Sequence, residues 1–438
     1  MSASARYAPA PFCGAFAGLC VPRYATQMNF FIKYKKIILA ASFVLIVFLL
    51  GYFLYIMFFK PAAPAPITTE EEAGGAAAEL PIASVGTGQI IESAPGAGLP
   101  AEKITAPAAS KTAKGGLTQV EQLNDAPGLY ATLSGSGSGL QYYNKSDGKF
   151  YKVDNGGKII ALSDKVFFQV ESAVWSPDKN KAILEYPDGA NILYDFNNNR
   201  QTTLPAHWKD FNFSPSGQQI VMKSMGLDPD NRWLAISNAD GSKTRRVEAL
   251  GGKDDTVYSS WSPNNQSIAM YTEGIDFDRQ EVFLVGLNNE NFKSMVIEGR
   301  GFQSKWSPKG DKLLYSVYSS ANNLKPMLWI ANAQGESIGA GRKSFGVETW
   351  ADKCAFADSI NVYCAVPEKL EEGAGLFPEM AKNTKDNLYK IDAQTGLKKL
   401  VAVPDGSYNM SNIIISDNGK YLYFTDATSG RLYKIDLK

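Results

Sequence analysis

Histidine is nearly absent from this chain of 438 residues. The single histidine, His207 in "PAHWKD", excludes a metal site built from several imidazole groups. A catalytic role would need a nucleophile and an orienting acid that the sequence does not place beside it, so a loop or core histidine is the favoured interpretation. Basic and acidic residues are equal at 44 each, so the charge balance predicts no nucleic-acid partner.

Recognisable catalytic and cofactor motifs are also missing. No G-x-S-x-G motif occurs, and the glycines and serines of "SGSGSG" at 134–139 are out of phase for one. The segment "DFNNNR" at 195–200 offers oxygen ligands, but it lacks the glycine and the terminal glutamate of a calcium loop. We interpret both segments as turns, with calcium as the lesser alternative for the second. The sequence therefore assigns no catalytic residue, no cofactor and no metal.

Charge disappears entirely from one long apolar run, residues 37–59. At roughly 1.5 Å per helical residue, the run is long enough to cross a bilayer core. Three lysines precede it within four positions, only Lys60 directly follows it, and the first acidic residues are Glu70–Glu72. This asymmetry predicts a single-pass anchor in the cell membrane, with the N-terminus in the cytoplasm and the rest outside. A cleaved signal peptide is the alternative, and the length of the run disfavours it.

The regions around this run differ in composition. Residues 1–36 are expected to form a cytoplasmic tail, with Met28 as an alternative start of the protein. Residues 60–116 are rich in alanine, proline and glycine and have no aromatic side chain, so they predict a disordered linker. Aromatic and β-branched residues return in 117–438, which we assign to one folded domain.

Only four cysteines are present. Cys13 and Cys20 lie in the cytoplasmic tail and are expected to be free thiols. Cys354 and Cys364 flank a turn in "KCAFADSINVYCAV", which places them on adjacent antiparallel strands in an oxidising location. We predict a disulfide between them, with two buried free thiols as the alternative.

A repeated segment dominates the folded domain. Each copy has an aromatic residue, then Ser-Pro, a polar turn and an apolar run, as in "WSPDKNKAILEY" and "WSPKGDKLLYSV". Proline presets φ in the tight turn, and the continuous apolar run is typical of a strand covered on both faces. A period of about 40 to 50 residues with several short strands predicts propeller blades. The aromatic anchors, which we expect to be structural, are Trp175, Phe213, Trp261, Trp306 and, in a weaker copy, Phe356.

Counting the copies predicts an all-β propeller of seven four-stranded blades, with six or eight as alternatives. A degenerate copy begins at Ile415, and "KFYKVDNGG" at 149–157 indicates an additional first blade starting near Ala131. The last blade is one strand short. We predict that "GLTQVEQL", residues 116–123, supplies the missing outer strand, because an open ring would leave unpaired strand edges.

The "WSPDKNKAILEY" and "WSPKGDKLLYSV" segments resemble the blade signature of TolB-type, WD-repeat-like β-propellers over residues 130–438. Members of that group act as binding platforms, as parts of envelope complexes and as regulatory domains of serine peptidases. The resemblance therefore implies the fold and leaves the function open.

Three functions fit these features. The leading one is a non-enzymatic, membrane-tethered module of the cell envelope that binds a protein or glycan on one propeller face. The second is a glycan-processing enzyme with paired carboxylates in the central channel, which would show raised pKa values. The third is a subunit of an envelope complex with a fixed protein partner.

The loops between the second and third strands of the blades vary most in length, and such loops on a rigid scaffold commonly carry binding groups. The longest, residues 367–386, contains Leu376, Phe377 and Met380 among charged residues. We predict that these three side chains contact a partner, with a solvated insertion as the alternative.

Overall fold

The computed structural model describes residues 43–52, 108–288, 290 and 292–438. Two separate units contain them, one upstream of residue 100 and one from Pro100 to Lys438. In the first unit, residues 43–52 form a helix. Across the described ranges, no helix combines the length and apolarity needed to cross a membrane. The remainder of the predicted anchor at 37–59, the tail at 1–36 with Cys13 and Cys20, and residues 60–107 of the linker lie outside the described residues.

The second unit is a β-propeller of seven blades, which confirms the predicted fold and blade number. Two short strands precede the first blade: β1 (Leu117–Thr118) and β2 (Glu121–Gln122). Blade 1 contains β3 (Gly128–Leu133), β4 (Leu140–Asn144), β5 (Lys149–Val153) and β6 (Ile159–Ala161). Blade 2 contains β7 (Ser172–Trp175), β8 (Lys181–Glu185), β9 (Asn191–Asp195) and β10 (Arg200–Leu204). Blade 3 contains β11 (Trp208–Phe213), β12 (Gln219–Met225), β13 (Arg232–Asn238) and β14 (Arg245–Ala249).

Blades 4 to 7 follow in the same order along the chain. Blade 4 contains β15 (Val257–Ser259), β16 (Ser267–Gly274), β17 (Arg279–Gly286) and β18 (Met295–Glu298), and blade 5 contains β19 (Arg300–Trp306), β20 (Lys312–Tyr318), β21 (Pro326–Asn332) and β22 (Lys343–Ser344). Blade 6 contains β23 (Cys354–Phe356), β24 (Asn361–Pro367), β25 (Asp386–Asp392) and β26 (Lys398–Pro404). Blade 7 contains β27 (Met410–Ile415), β28 (Tyr421–Asp426) and β29 (Leu432–Asp436). Short 3₁₀ helices lie in the connections, at Pro229–Asn231, Asp254–Thr256, Ser320–Asn322, Gly335–Ser337, Ala351–Lys353 and Pro378–Ala381.

The repeated Ser-Pro segment forms the turn between the first and second strands of a blade. In each copy the buried serine hydroxyl accepts a hydrogen bond from the backbone N–H five residues later, which closes the turn. In the sixth blade, where Ala357 replaces the serine, the Asp358 carboxylate accepts the backbone N–H groups of Ile360 and Asn361 instead. The five serine acceptors and their Oγ to N distances are Ser176 (3.0 Å), Ser214 (3.1 Å), Ser262 (2.9 Å), Ser307 (3.0 Å) and Ser416 (3.0 Å).

The aromatic anchors lie at the ends of the first strands. Trp175, Phe213, Trp306 and Phe356 are the last residues of β7, β11, β19 and β23, and Trp261 follows β15 closely. Two of the indoles also bind the preceding blade, because Trp175 Nε1 donates to the Tyr130 carbonyl at 2.9 Å and Trp306 Nε1 donates to Ser260 Oγ at 3.0 Å. These anchors therefore join neighbouring blades near the channel.

The core of the propeller lies between adjacent blades. Each of seven apolar clusters combines side chains of two neighbouring blades. The cluster that joins blade 7 to blade 1 packs Leu123, Tyr423 and Leu432 against Leu140 and Tyr142. Middle strands are therefore covered on both faces, which explains their continuous apolar runs.

The ring is closed by the segment that precedes the first blade. β2 pairs antiparallel with β29, so the prediction that residues 116–123 contain the outer strand of the last blade is confirmed. In addition, β1 pairs parallel with β26 as a fifth strand of blade 6. Further upstream, Ser110 and Thr112 form isolated bridges with Thr118 and Asp436. We call residues 110–123 the closing strap; its backbone pairing moves the start of the folded unit upstream from residue 117.

The Cys354 and Cys364 side chains belong to β23 and β24, where the two residues are direct cross-strand partners. Their Sγ atoms are 2.15 Å apart, as in a disulfide, and both residues are fully buried. The bond would fix the innermost strand of blade 6 to its neighbour, beside the 3₁₀ helix Ala351–Lys353.

Candidate functional site

The two faces of the propeller disc differ in the connections that form them. Turns between first and second strands and between third and fourth strands form one face, which we call the turn face. Loops between second and third strands, together with the links between blades, form the other, which we call the loop face. Loop-face segments of neighbouring blades contact each other, since the Gly375 N–H donates to the Leu324 carbonyl at 2.7 Å and the Ser320 N–H donates to Asp278 Oδ1 at 2.7 Å.

Exposed apolar side chains are concentrated on the loop face. Among the described connections, the turn face exposes only Ile360 and Leu397 as large apolar residues. Apolar groups that collect in patches on a surface can mark an interaction site, so this asymmetry makes the loop face the candidate interaction surface. The large apolar residues exposed on the loop face are Val166, Phe168, Leu227, Ile275, Phe277, Leu376, Phe377 and Met380.

The longest loop of this face, which joins β24 to β25, has a small core of its own. Leu370, Ala374 and Ala381 of this loop pack with Trp350 of the preceding link in a buried cluster. Gly375 is required at its contact with blade 5, because an added Cβ would lie 2.5 Å from Tyr318 Cβ and 2.7 Å from a backbone oxygen. The loop is thus a folded element, which argues against a solvated insertion.

This folded loop holds the three predicted contact residues in the solvent. Leu376, Phe377 and Met380 have exposed fractions of 37%, 52% and 47%. Phe377 directly precedes the 3₁₀ helix Pro378–Ala381, and Met380 lies within it. The backbone positions of both residues are therefore fixed before a partner binds. A backbone that is already ordered reduces the conformational entropy that the loop loses on binding.

Acidic residues surround these apolar groups. The loops that carry Leu227, Ile275 and Leu376 contain more acidic than basic residues. Two of the acidic residues, Glu368 and Glu371, pair with lysines of the same loop. Asp276 pairs with Arg279, and the remaining acidic residues of these loops form no ion pair in the described part of the chain. They are Asp228, Asp230, Asp278, Glu372 and Glu379. Each of the three loops has a net negative charge, although Lys382 of the long loop is also in no ion pair.

A pocket of about 200 Å³ opens beside the long loop, where blades 5, 6 and 7 meet. Gln303 of β19 and Met410 of β27 contribute from innermost strands, so the pocket lies at the channel side of the loop face. Pro378 and Ala381 of the long loop form another wall. Lys353 and Asn409, both nearly buried, supply polar groups to the lining.

Lys353 is held by a buried network. Its Nζ atom lies 2.7 Å from Asp386 Oδ2 and 2.7 Å from Asn409 Oδ1. Asp386 Oδ2 also accepts the Met410 N–H at 2.6 Å, whereas Asp386 Oδ1 has no partner in the described residues. Burial raises the pKa of the Asp386 carboxyl above its usual value, and the ammonium group of Lys353 opposes that rise.

A carboxylate-based active site in the central channel predicts carboxyl groups of raised pKa that lie close together. Burial raises the pKa of two carboxyl groups in the described part of the chain, those of Glu185 and Asp386. Glu185 ends β8 of blade 2 and interacts with Lys209 and Asp210, whereas Asp386 begins β25 of blade 6. They belong to separate networks on different blades.

The other segments considered as candidate sites lie in turns of the propeller. His207 is exposed in the turn that precedes β11. The "SGSGSG" segment joins β3 to β4, and "DFNNNR" spans the end of β9 and the turn into β10, as predicted. Asp195 Oδ1 accepts the N–H groups of Asn197 and Asn198, so one of its carboxylate oxygens serves the turn. No group of three or more potential metal ligands occurs within the described ranges.

Sequence reasoning did not find Lys353, Asp386, Asn409 or Gln303. These residues come from separate blades and lie outside the repeated Ser-Pro segment. An Asp at the start of a strand and a Lys after a tryptophan are ordinary surface patterns, and only the packing of the blades buries them.

No family model matches the chain, and no curated protein matches it. Solved structures similar to it include an oligogalacturonate lyase in complex with manganese, with 14% identity, 73% of this chain and 93% of that chain covered, and a TM-score of 0.48. The β-propeller domain of Myceliophteria thermophila Cps50 (Swd1) shares 11% identity over 73% of this chain and 100% of that chain, with a TM-score of 0.49. Kuenenia stuttgartiensis hydrazine synthase shares 16% identity over 72% of this chain and 96% of that chain, with a TM-score of 0.48. Similarity at this level does not indicate what the chain binds or catalyses.

Proposed function

We propose that the chain is a membrane-tethered, extracytoplasmic β-propeller that binds a protein partner through its loop face, as a non-enzymatic scaffold module of the cell envelope. The observation that carries this proposal is the folded loop between β24 and β25, which presents Leu376, Phe377 and Met380 to the solvent. Aromatic and methionine side chains are enriched in protein interfaces, and a small number of them commonly provide most of the binding energy.

The charge around these anchors specifies the partner further. Acidic side chains surround the apolar groups, so a complementary surface combines basic residues with apolar ones. Electrostatic attraction would accelerate encounter, and burial of the anchors would provide the affinity. A glycan partner fits less well, because the anchors are two aliphatic side chains and one phenylalanine.

The loop face is tested with the full chain in detergent and two sets of synthetic peptides that share apolar content and differ in charge. We expect the basic peptides to bind and the acidic peptides not to bind. Replacing Leu376, Phe377 and Met380 together by serine should weaken binding more than about tenfold, since truncating an interface anchor commonly costs 1 kcal/mol or more.

The matched control is Leu397→Ser, which removes an equally apolar side chain that is 73% exposed on the turn face. This variant should bind like the wild type, and both variants should keep the wild-type melting temperature. Unchanged peptide affinity in the folded triple variant would refute the assignment of this face.

The membrane tether rests on two independent features. Residues 37–59 are uncharged and have their flanking lysines mainly on the N-terminal side, which favours an inserted helix with the propeller outside. The Cys354–Cys364 pair supports the same location, because disulfides persist mainly outside the reducing cytosol.

Washed membranes test both features in one preparation. We expect the protein to remain with membranes after an alkaline wash and to lose this retention when residues 37–59 are deleted. Because both residues are buried, the reaction is run on unfolded protein: before reduction Cys354 and Cys364 should not react with an alkylating reagent, and after reduction both should react. Release of the full chain by the wash, or alkylation of Cys354 and Cys364 in the unfolded, unreduced protein, would contradict the proposal.

A further inference from the structure

The pocket beside the long loop has the features of a site for one peptide unit. We propose that it binds an apolar side chain of the partner together with the amide group that follows that side chain. This inference rests on the proposed function, because it names the part of a protein partner that the loop face recognises. The pocket has a suitable volume, a largely apolar lining and two polar groups with unused hydrogen-bonding capacity.

The volume and lining fit an apolar side chain. A cavity of about 150 Å³ lined by apolar groups holds benzene, so the roughly 200 Å³ here are sufficient for a leucine, methionine or phenylalanine side chain. Pro378, Ala381, Met410 and Ala427 supply apolar walls, and Trp350 lies behind them with only 7% of its surface exposed. Burial of a side chain against these walls would remove apolar area from water.

Lys353 supplies a hydrogen-bond donor. An ammonium group has three N–H donors, and Asp386 Oδ2 and Asn409 Oδ1 account for two of them. The third has no acceptor among the described residues. The positive charge is already neutralised by Asp386, so a neutral carbonyl oxygen suits this donor better than an anion does.

Gln303 supplies an acceptor on another wall of the same pocket. Its Oε1 atom is buried and has no hydrogen-bond partner in the described part of the chain. The last torsion of a glutamine side chain is broad, so rotation can direct the amide toward a group that enters the pocket. A buried acceptor without a partner is unfavourable, and an entering N–H would relieve that cost.

An amide has one carbonyl acceptor and one N–H donor, which matches Lys353 and Gln303 together. A sugar hydroxyl also donates and accepts, and Asp352, Lys382 and Ser411 line the pocket too. The side chains of Pro378, Ala381 and Met410, however, offer no hydrogen-bond partner to the further hydroxyl groups that a sugar would place against them. The pairing of polar groups and the apolar lining therefore favour a peptide.

The first experiment uses the full chain in detergent and three probes: N-acetyl-leucine methylamide, its methyl ester, and a neutral oligosaccharide. Binding is measured by saturation-transfer NMR and titration. We expect the methylamide to bind about tenfold more tightly than the ester, which lacks the second N–H. In Gln303→Leu this preference should disappear, whereas a structural role of Gln303 would leave the ratio of the two affinities unchanged.

A second experiment blocks the pocket. Ala427 is exposed at its rim, so Ala427→Trp should fill the entrance without disturbing the core and should abolish methylamide binding. Ala340→Trp is the matched control, because Ala340 is exposed in a turn-face connection. It should leave binding unchanged.

The outcomes separate this inference from the proposed function. If the methylamide does not bind while the basic peptides still require Leu376, Phe377 and Met380, the pocket assignment is refuted and the loop face stands. Binding of the oligosaccharide in place of the methylamide also overturns the assignment, as does methylamide binding that survives Ala427→Trp. If the basic peptides fail to bind, the proposed function is refuted, whatever the result with the methylamide.

Discussion

Deletion of residues 108–123, which include the closing strap, should lower the melting temperature of the propeller by more than about 10 °C, the largest single effect we expect. The deletion opens the hydrogen-bonded edge of β29 in blade 7 and the edge of β26 in blade 6. It also removes Leu123 and Thr118, which have exposed fractions of 4% and 0%. Differential scanning calorimetry of the full chain and the deletion variant measures the difference.

A control deletion of equal length, residues 92–107, removes the chain just upstream and should leave the melting temperature unchanged. Leu123→Ala provides an intermediate case, because truncating a buried leucine costs about 2–5 kcal/mol of unfolding free energy. Leu123 belongs to the apolar cluster that joins the first and last blades, so this substitution weakens the packing that closes the ring. A melting temperature that is the same with and without residues 108–123 would show that the ring is closed by other contacts.

The repeats could be predicted from the sequence because each blade solves the same local problem with the same residues. A serine acceptor, a proline and a polar turn recur since every first-to-second turn needs its N–H groups satisfied and its φ angles preset. Blade 1 shows the limit of this signature: Ser134 occupies the serine position, where its N–H donates to the Gly139 carbonyl, but no proline follows. Its later strand, similar to the "LYKID" copies, identified the blade instead.

The candidate site was predicted only in part, for a physical reason. The exposure of Leu376, Phe377 and Met380 could be predicted from their place in a long irregular loop. The role of residues 116–123 could be predicted because the last blade lacked its outer strand. The small core of that loop and the Lys353 network depend on contacts between blades 5, 6 and 7. Such contacts leave no local pattern, since residues like Lys353 and Asp386 are distant in sequence and carry no periodic signal.

Lys353→Met should lower the unfolding free energy by about 3–5 kcal/mol, because it leaves a carboxylate buried without its cation. Asp386 is fully buried, and its Oδ1 atom already lacks a partner. The double variant Lys353→Met, Asp386→Asn should recover a large part of the loss, since it removes the uncompensated charge and keeps a group of similar size. Chemical denaturation at neutral pH measures all three proteins.

The control is an ion pair in the loop between β24 and β25, formed by Lys385 and Glu368, whose side chains are 32% and 47% exposed. Lys385→Met should cost less than about 1 kcal/mol, because water screens such pairs. A Lys353→Met variant as stable as this control would show that Asp386 is not buried as a charge in solution.

The pH dependence of Lys353→Met gives a second readout with a definite sign. The pKa of Asp386 is already raised by burial, and removing the ammonium group takes away the interaction that opposes the rise. A carboxyl whose pKa is higher in the folded than in the unfolded state binds its proton more tightly when folded, so stability increases as the pH falls toward the unfolded value of about 3.9. The stability deficit of Lys353→Met relative to the wild type should therefore shrink on acidification from neutral pH. The double variant, which has no carboxyl at position 386, should lack this extra pH dependence, and a deficit that stays constant with pH would contradict the assignment to Asp386.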